Sequence, residues 1–342
     1  MKPPPSLSSP TATQIEIAAA VVKWYLARYW RTAWDPGVLE MFCDHGRVGA
    51  FAVDPSSVAA GEGSALFRVW FMTAMFQRRQ DVQILRILRG IDRRNAAELS
   101  SARRLLSLVD GCRCPRMRST DALRERCDLA KDARGRGVCR ASPRTACHLK
   151  RHTVLLKRYG HFGKVPTSLA LVVRESGARD LNGVRAQVLV AERDPLERAR
   201  ALEAVLSRAW RVNQKIASMF LSAVTNPDLG RGPAWWRRGL DWTYFVVVDS
   251  NVDLFLESIG YRGGRSYDQR REFVRELARG IDLRVFDRRL RAFNPRLVQQ
   301  AMYLFMSGAN RRASPIDCAH LGRAECSSCP AALRSRCPVR SQ

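Results

Sequence analysis

The pattern of apolar and polar residues along the chain predicts a mainly α-helical protein. Between Thr13 and Trp34, apolar side chains recur every three or four residues, as they do on one face of a helix. Residues 64–77, with the sequence SALFRVWFMTAMFQ, are strongly apolar and predict a largely buried helix. The basic segment 78–94 continues this spacing, so residues 64–94 form one or two helices.

Helical spacing returns after residue 164 and continues almost to the C-terminus. Before residue 226 it occurs in ARDLNGVRAQVLVAERDP, PLERARALEAVLSRAW and RVNQKIASMFLSAVTN, and after it in DQRREFVRELARGI and PRLVQQAMYLFMSGA. The run Val246–Val248 is the one hint of a strand, and it is equally compatible with a buried helix entry. Residues 35–62 contain several Pro and Gly residues and predict loops.

These patterns divide the chain into five regions. Residues 1–12 are rich in Pro and Ser, which predicts a disordered tail. After it come an N-terminal helical region, a basic cysteine-rich insert, a second helical region and a cysteine loop, at residues 13–100, 101–160, 161–312 and 313–342. A chain of 342 residues can bury a sizeable core and is long enough for two domains.

Four cysteines near the C-terminus have the spacing C-x7-C-x2-C-x7-C and are the strongest candidate for a chemical site. They are Cys318, Cys326, Cys329 and Cys337. Thiolate is a soft ligand, so a compact loop of four cysteines favours zinc or an iron–sulfur cluster over magnesium or calcium. Free or disulfide-bonded cysteines are the alternative.

Whether these cysteines bind a metal or form disulfides depends on the cellular compartment. Disulfides form where the surroundings are oxidising, whereas the N-terminal MKPPPSLSSP lacks the apolar core of a signal peptide. No segment of the sequence is long and apolar enough to predict a membrane span. The sequence therefore predicts a cytoplasmic protein with reduced, metal-binding thiols.

A second group of cysteines lies in the insert. Its members are Cys112, Cys114, Cys127, Cys139 and Cys147. Together with His148 and His152 they offer ligands for a second metal ion, for which zinc is the expected choice. Their spacings are long and irregular, so scattered small buried side chains without a metal are the alternative.

The chain is strongly basic. It contains 58 Lys and Arg against 32 Asp and Glu, a formal charge of +26 with a pI near 10.8. Such a charge favours a polyanionic partner, because neutralising phosphates releases counterions. A GC-rich genome would explain the preference for Arg over Lys, but it would not explain the excess of cations. Nucleic acid is therefore the predicted partner, and no obligate protein partner is implied.

Three elements of the last hundred residues resemble the helix-hairpin-helix DNA glycosylase superfamily, in its endonuclease III-like, iron–sulfur branch. VVVDSNVDLFLESIGY is similar to the family's V-D-[ST]-[HN]-V segment and following helix, NPRLVQQAMYLFMSGA to its last helix, and the cysteine loop to the family's C-x6-C-x2-C-x5-C. Upstream, ALEAVLSRAWRVNQKIASMFLSAV resembles the family's hairpin, and SALFRVWFMTAMFQRRQDV the helix that opens the fold. The resemblance covers about residues 64–92 and 200–340 and leaves the insert outside.

This resemblance implies a two-lobed helical glycosylase fold with a [4Fe–4S] cluster on the four C-terminal cysteines, with zinc as the alternative. It implies a nucleoid-associated base-excision enzyme that binds DNA and acts on a damaged or modified base in a flipped nucleotide. Asp249 matches the family's catalytic Asp, and this residue is also the expected N-cap of the next helix. Lys215 matches the catalytic Lys, whose amine attacks the sugar and adds AP-lyase activity. A solvated surface lysine is the alternative for Lys215.

The resemblance also places the contacts with DNA. They are Arg211, Asn213 and Gln214 in the hairpin, Gln77 or Arg78 as the side chain that fills the gap left by the flipped base, and Arg323, Arg334 and Arg336 around the cysteines. The family's hairpin sequence G-V-G-R is replaced by RVNQ at 211–214. In the family, these glycines let backbone amides approach a phosphate closely. Asn213 is the residue expected to take a left-handed conformation in their place.

Two further points stay open in the sequence. Trp235, Trp236, Trp242 and Tyr244 precede Asp249 and are candidates either for stacking on an extruded base or for the core. The rival to an enzyme is a non-catalytic nucleic-acid-binding module, which the missing hairpin glycines favour and the retained Lys215 and Asp249 oppose. A zinc-containing nuclease is the third candidate function. The sequence does not identify the base, because the shape of the pocket decides it.

Overall fold

The computed structural model of the chain describes residues 9–35, 37–77, 79–140, 146–158, 160–320, 326–327 and 329–339. Within these residues the protein is mainly α-helical, as the sequence predicts. In chain order the helices are α1 (Ala12–Arg28), α2 (Val38–Cys43), α3 (His45–Val48), α4 (Pro55–Ala59), α5 (Gly63–Met75), α6 (Asp81–Arg89), α7 (Arg93–Leu99), α8 (Ala102–Asp110), α9 (Thr120–Glu125), α10 (His148–Leu155), α11 (Val165–Glu175), α12 (Leu181–Ala191), α13 (Pro195–Leu206), α14 (Gln214–Thr225), α15 (Ser250–Ser258), α16 (Tyr267–Arg279), α17 (Pro295–Met306), α18 (Gly308–Ala313) and α19 (Ala331–Arg334).

The chain forms two compact units, each with more internal contacts than shared ones. The first unit combines the two ends of the chain with a short inner segment, at Met1–Gly37, Asn226–Leu229 and Thr243–Gln342. The second contains Val38–Thr225 and Gly230–Trp242. It includes two short strands, β1 (Ala130–Lys131) and β2 (Gly137–Val138), which pair antiparallel with Ala130 opposite Val138.

The core of the first unit is formed by α1, α15, α16 and α17. Each helix contributes apolar side chains at helical spacing to one cluster, for example Val21 of α1, Phe255 of α15, Phe273 of α16 and Met302 of α17. The N-terminal helix packs directly on α17. Helices from opposite ends of the sequence therefore share one core, in which the cysteine loop at the C-terminus also takes part through Leu333.

Helix α17 begins in a buried polar network. Asn294 is its N-cap, and its side-chain oxygen accepts a hydrogen bond from the amide of Leu297 at 3.1 Å. The Asn294 amide nitrogen donates to Asp228 Oδ2 at 2.7 Å and to Asn226 Oδ1 at 3.0 Å. Since Asn294 is fully buried, this network attaches the inner segment 226–229 to the first unit.

The second unit is built around α5, which packs on α11, α12 and α14. Every residue from Leu66 to Met75 except Arg68 is buried, as the apolar sequence predicts. Trp70 of α5 contacts Phe220 of α14, with ring centroids 6.1 Å apart. A helix that is apolar on all sides is stable in water only at the centre of such a bundle.

The structure differs from the sequence prediction in two places. Residues 35–62, predicted as loops, contain the short helices α2, α3 and α4; Asp44 and Asp54 are the N-caps of α3 and α4. Helices of four to six residues are too short to show a periodic pattern. The Val246–Val248 run is buried but pairs with no strand among the described residues. A side chain takes the place of a strand partner: the Tyr267 hydroxyl donates to the Val246 carbonyl and accepts from the Val248 amide.

We expect Asn294→Ala to lower the free energy of unfolding by about 2–4 kcal/mol, because it removes a helix cap, takes the acceptor from the buried Asn226 amide and takes one of two donors from Asp228 Oδ2. Ser266→Ala is the matched control: Ser266 is the N-cap of α16 but is exposed, so its removal costs about 1 kcal/mol. Denaturant unfolding followed by circular dichroism measures both. Equal losses would contradict the buried network.

Candidate metal centre and catalytic residues

The four C-terminal cysteines line one cavity of about 330 Å³ in the first unit. Helix α1 forms its opposite wall with Trp24 and Arg28, and the α19 segment contributes Leu333 and Arg334. The structure thus brings Cys318, Cys326, Cys329 and Cys337 together, as the sequence predicts for a shared centre. Arg323, predicted to contact DNA here, lies outside the described residues.

The spacing of the sulfur atoms bears on the type of metal. Among the described residues, no three His, Cys, Asp or Glu side chains are grouped as ligands of one metal ion. Tetrahedral zinc with Zn–S bonds of about 2.3 Å would bring sulfur atoms to about 3.8 Å from each other. An iron–sulfur cluster binds each cysteine at a different iron atom and so takes ligands that stand farther apart. The cavity of about 330 Å³ has room for a cluster as well as for one zinc ion.

A buried arginine holds two of these cysteines. The guanidinium group of Arg311 donates to Cys318 Sγ at 3.2 Å and to Cys337 Sγ at 3.4 Å. It is also bonded to both carboxylate oxygens of Asp317, at 2.8 and 3.3 Å, and to the carbonyl of Phe305 at 3.0 Å. Both charged side chains are 0% exposed. The sequence did not predict this pair, because nothing local distinguishes Arg311 and Asp317 from the other Arg and Asp residues of the chain.

Burial and neighbouring charges have opposite effects on the pKa of Asp317. Burial would raise the pKa of Asp317, but hydrogen bonds from Arg311 and Tyr29 outweigh it and lower the pKa below the usual value. Burial raises the pKa of the Cys329 thiol, and the neighbouring Cys318 and Cys337 raise it further. A metal that binds here must therefore displace thiol protons, while Arg311 supplies positive charge to the resulting thiolates.

Asp249 begins helix α15. Its Oδ1 accepts hydrogen bonds from the backbone amides of Asn251 at 3.1 Å and Val252 at 3.0 Å, which confirms the predicted N-cap. The carboxyl group is half-buried and lies within the electrostatic reach of Arg296, a buried residue of α17. Burial lowers the pKa of Arg296, and neighbouring groups that include Asp35 and Asp249 oppose this shift.

The other end of α15 is bonded to the cysteine loop. Arg336, which lies between Cys329 and Cys337 in the sequence, donates from Nε to the carbonyl of Ser258 at 3.0 Å. A cation at the C-terminal end of a helix also interacts favourably with the helix dipole. Arg336 and Arg334 both donate to backbone carbonyls, of Ala332 and Ser327, so these two predicted DNA contacts also hold the loop itself.

The segment predicted to form the hairpin contains two helices joined by a short turn, and its left-handed residue differs from the expectation. Helices α13 and α14 are joined by residues 207–213, and the left-handed residue is Arg211, with φ of +63°. Asn213 is not left-handed; instead its side chain accepts a hydrogen bond from the Ile216 amide at 3.2 Å and caps α14. Gln214 and Lys215, in the first turn of α14, are half-buried. Asn213 was therefore the wrong choice, because a capping residue adopts an extended backbone.

The remaining residues predicted to contact DNA or a base have different surroundings in the structure. Gln77 turns its side chain back onto its own helix, where it donates to the Ala74 carbonyl at 2.7 Å. Arg78 lies outside the described residues. Trp236 is fully buried and donates to Asn182 Oδ1 at 2.8 Å, and Tyr244 is buried under the Arg271 guanidinium. These contacts favour the core for Trp236 and Tyr244, whereas Trp235 and Trp242 are half-buried.

The insert gathers four of its five cysteines. Cys114, Cys127, Cys139 and Cys147 line a cavity of about 20 Å³, and Cys112 packs on the apolar cluster beside it. The two histidines lie elsewhere: His148 Nε2 bonds with Thr167 and His152 Nε2 with Glu98. Burial lowers the pKa of His148 to about 3 and lowers that of His152 as well.

Comparison of the chain with models of protein families, with curated proteins and with solved structures gives no match. Across the part of the chain that the structure describes, no helix combines the length and the apolar character needed to cross a membrane.

We expect Arg311→Met to lower the free energy of unfolding by about 3–5 kcal/mol, because it leaves Asp317 charged and buried without its partner. Arg312→Met is the matched control, since Arg312 is the next residue of α18 and is exposed; its loss costs under about 1 kcal/mol. Denaturant unfolding of both variants gives the comparison. An Arg311 variant as stable as the control would show that the buried pair contributes little.

Proposed function

We propose that this protein is a DNA base-excision enzyme, a DNA glycosylase of the helix-hairpin-helix type that carries a [4Fe–4S] cluster in its C-terminal loop. The observation that carries the proposal is the arrangement of α15. This helix begins at the candidate catalytic Asp249 and ends at Ser258, which is bonded to Arg336 of the cysteine loop. A metal centre and a catalytic carboxylate are thereby attached to opposite ends of one rigid element.

The proposed ligands of the cluster are the four cysteines of the 330 Å³ cavity. When bound, the cluster supplies a covalent cross-link between distant points of the loop. Arg311 offsets the charge of the thiolates through its bonds to Cys318 and Cys337. Arg336 then holds α15 against the loop, at a distance of about 13 Å from Asp249 for a nine-residue helix. In this proposal the metal positions the carboxylate and does not react.

The proposed chemistry is cleavage of an N-glycosidic bond. The electron pair of the bond between the sugar carbon and the base leaves with the base, and positive charge develops on the sugar. The Asp249 carboxylate stabilises this charge, and its two amide hydrogen bonds fix its orientation beforehand. The buried Arg296 interacts electrostatically with the carboxylate.

Lys215 is the proposed nucleophile for the lyase branch. Attack of its neutral amine on the sugar carbon C1′ displaces the base, and the amine then loses a proton. Opening of the C1′–O4′ bond, with protonation of O4′, gives a Schiff base, from which the DNA strand breaks by β-elimination. Lys215 lies in the first turn of α14. Without this attack, water takes the same role and the enzyme releases the base only.

The charge of the chain supports DNA as the partner. A net charge of +26 favours association with a phosphate backbone, with a strong dependence on salt. Arg211 has a left-handed backbone, the conformation that glycine adopts most readily, and its guanidinium lies 5.6 Å from the Trp210 ring centroid. Arg211 therefore supplies a cation at the position where the family has glycine.

A non-catalytic DNA-binding module is the second candidate. It is favoured by the side chain of Gln77, which bonds to its own helix, and by the absence of hairpin glycines. Such a module would bind duplex DNA through the same cations and the same cluster. It would release no base.

We expect Asp249→Asn to lower base release from lesion-containing duplex DNA by about 100-fold or more, because the amide carries no negative charge to stabilise the sugar cation. Asn remains a good N-cap, so the fold and DNA binding are retained. Glu257→Gln removes one charge from the exposed side of the same helix and is the matched control. The assay is a panel of oligonucleotides, each with one defined altered base.

Two outcomes of this experiment distinguish the candidates. Tight DNA binding with no base release from any substrate would leave the binding module. Release that is equal in the parent and in Asp249→Asn would remove Asp249 from the mechanism. Borohydride trapping of a covalent adduct in the parent, but not in Lys215→Arg, separates the lyase from the glycosylase, since Arg keeps the positive charge but forms no Schiff base.

We expect the purified protein to be brown and to contain about four iron atoms per chain, bound at the C-terminal cysteines. Cys329→Ser removes a ligand and should lower the iron content strongly, whereas Cys43→Ser, outside both cysteine groups, should not. Visible absorption and elemental analysis are the measurements. A colourless protein that contains zinc and loses it in Cys329→Ser would replace the cluster by zinc.

A further inference from the structure

Four cysteines of the insert meet at one cavity although they are far apart in the sequence. Cys114 precedes a 3₁₀ turn, Cys127 follows α9, Cys139 directly follows β2, and Cys147 is the N-cap of α10. Each lies at the end of a short element rather than inside one. Scattered buried cysteines would have no reason to line the same cavity, as these four do.

The size of the cavity indicates what it holds. At about 20 Å³ it has room for about one water-sized particle, whereas the C-terminal cysteine cavity measures about 330 Å³. One metal ion fits the smaller space, and an iron–sulfur cluster does not. The remaining lining is apolar or cationic and includes Met117, Leu129 and Leu149.

The fold of the insert needs a cross-link. Its two strands have two residues each, and an isolated hairpin of that size is marginal in water. The apolar cluster beneath it is small, and its buried members are Val109, Met117, Leu123, Leu129, Leu149 and Leu171. Short elements with so little core are stabilised in other proteins by a structural metal ion.

The charges around the cavity suit a zinc tetrathiolate, whose net charge is −2. Arg116 and Lys150 belong to its wall, and Arg116 Nη1 lies 3.7 Å from Cys139 Sγ. Lys164, almost fully buried, donates to the backbone carbonyl of Cys127. Three cations thus face the place where four thiolates would concentrate negative charge.

We propose that the insert binds one zinc ion through Cys114, Cys127, Cys139 and Cys147, as a structural site distinct from the C-terminal cysteine loop. Thiolate sulfur favours zinc, which has no geometric preference of its own beyond four ligands. Cys112 does not line the cavity, and the proposal leaves it out of the ligand set. The proposal does not depend on glycosylase activity.

Binding requires the four thiols to move towards one point, and Cys139 illustrates this movement. In the described residues no three of the thiols are already grouped around a single point, and the Cys139 thiol donates to Asp128 Oδ1 at 2.6 Å. Rotation about the Cα–Cβ bond of Cys139 turns the sulfur from Asp128, which keeps its ion pair with Arg116 at 3.2 Å. Zn²⁺ then takes four thiolates, and four protons pass to water.

Elemental analysis of the full-length protein, purified without chelators, tests the proposal. We expect about one zinc ion per chain. Cys127→Ser and Cys147→Ser should lower the zinc content about tenfold or more without a loss of iron. Cys112→Ser and Cys43→Ser are the controls that should keep zinc, and Cys318→Ser should lower iron and leave zinc unchanged.

A second measurement needs no variant and so is independent of folding defects. Alkylation of the native protein by iodoacetamide, followed by peptide mass spectrometry, should label the four proposed ligands about tenfold more slowly before zinc is chelated than after, with Cys112 as the internal control. A wild-type protein without zinc would overturn the proposal. So would zinc that is lost with Cys318→Ser, or labelling of the four cysteines that chelation does not change.

Discussion

The buried ion pair between Arg311 and Asp317 is the interaction on which the first unit depends. Burying two charges away from solvent is unfavourable in free energy, and hydrogen bonds to both members of the pair offset this here. The Tyr29 hydroxyl of the first helix donates to Asp317, and Arg311 donates to the Phe305 carbonyl and to Cys337 of the last segment. The two ends of the chain and the cysteine loop are therefore held by one polar centre.

The consequence for function is a mechanical connection between the cysteine loop and Asp249. The loop is fixed to the last turn of α15 through Arg336, and the first turn of the same helix orients the carboxylate. A helix is stiff over nine residues, so a change in the loop reaches the carboxylate as a displacement of the whole element. This arrangement explains how a metal centre that takes no part in the reaction would still affect it.

We propose different metals for the two groups of cysteines because their cavities differ in size. Both use soft sulfur ligands and both have arginine nearby, so their chemistry alone would not separate them. The C-terminal group surrounds a space of about 330 Å³, and the insert group surrounds about 20 Å³. A cluster of several atoms requires the first, and a single ion requires the second. Iron and zinc contents are thus expected to vary independently of each other.

Local patterns in the sequence determined the helices, and with them the mainly α-helical class, because a run such as residues 64–77 has no other stable arrangement in water. They also determined the N-cap at Asp249, which depends only on the residues beside it. Tertiary structure decided what depends on distant partners: the left-handed turn at Arg211 rather than Asn213, the burial of Trp236, and the choice of four cysteines out of five. The Arg311–Asp317 pair belongs to this second group, since the burial that makes it strong comes from helices at both ends of the chain, and no local pattern records that meeting.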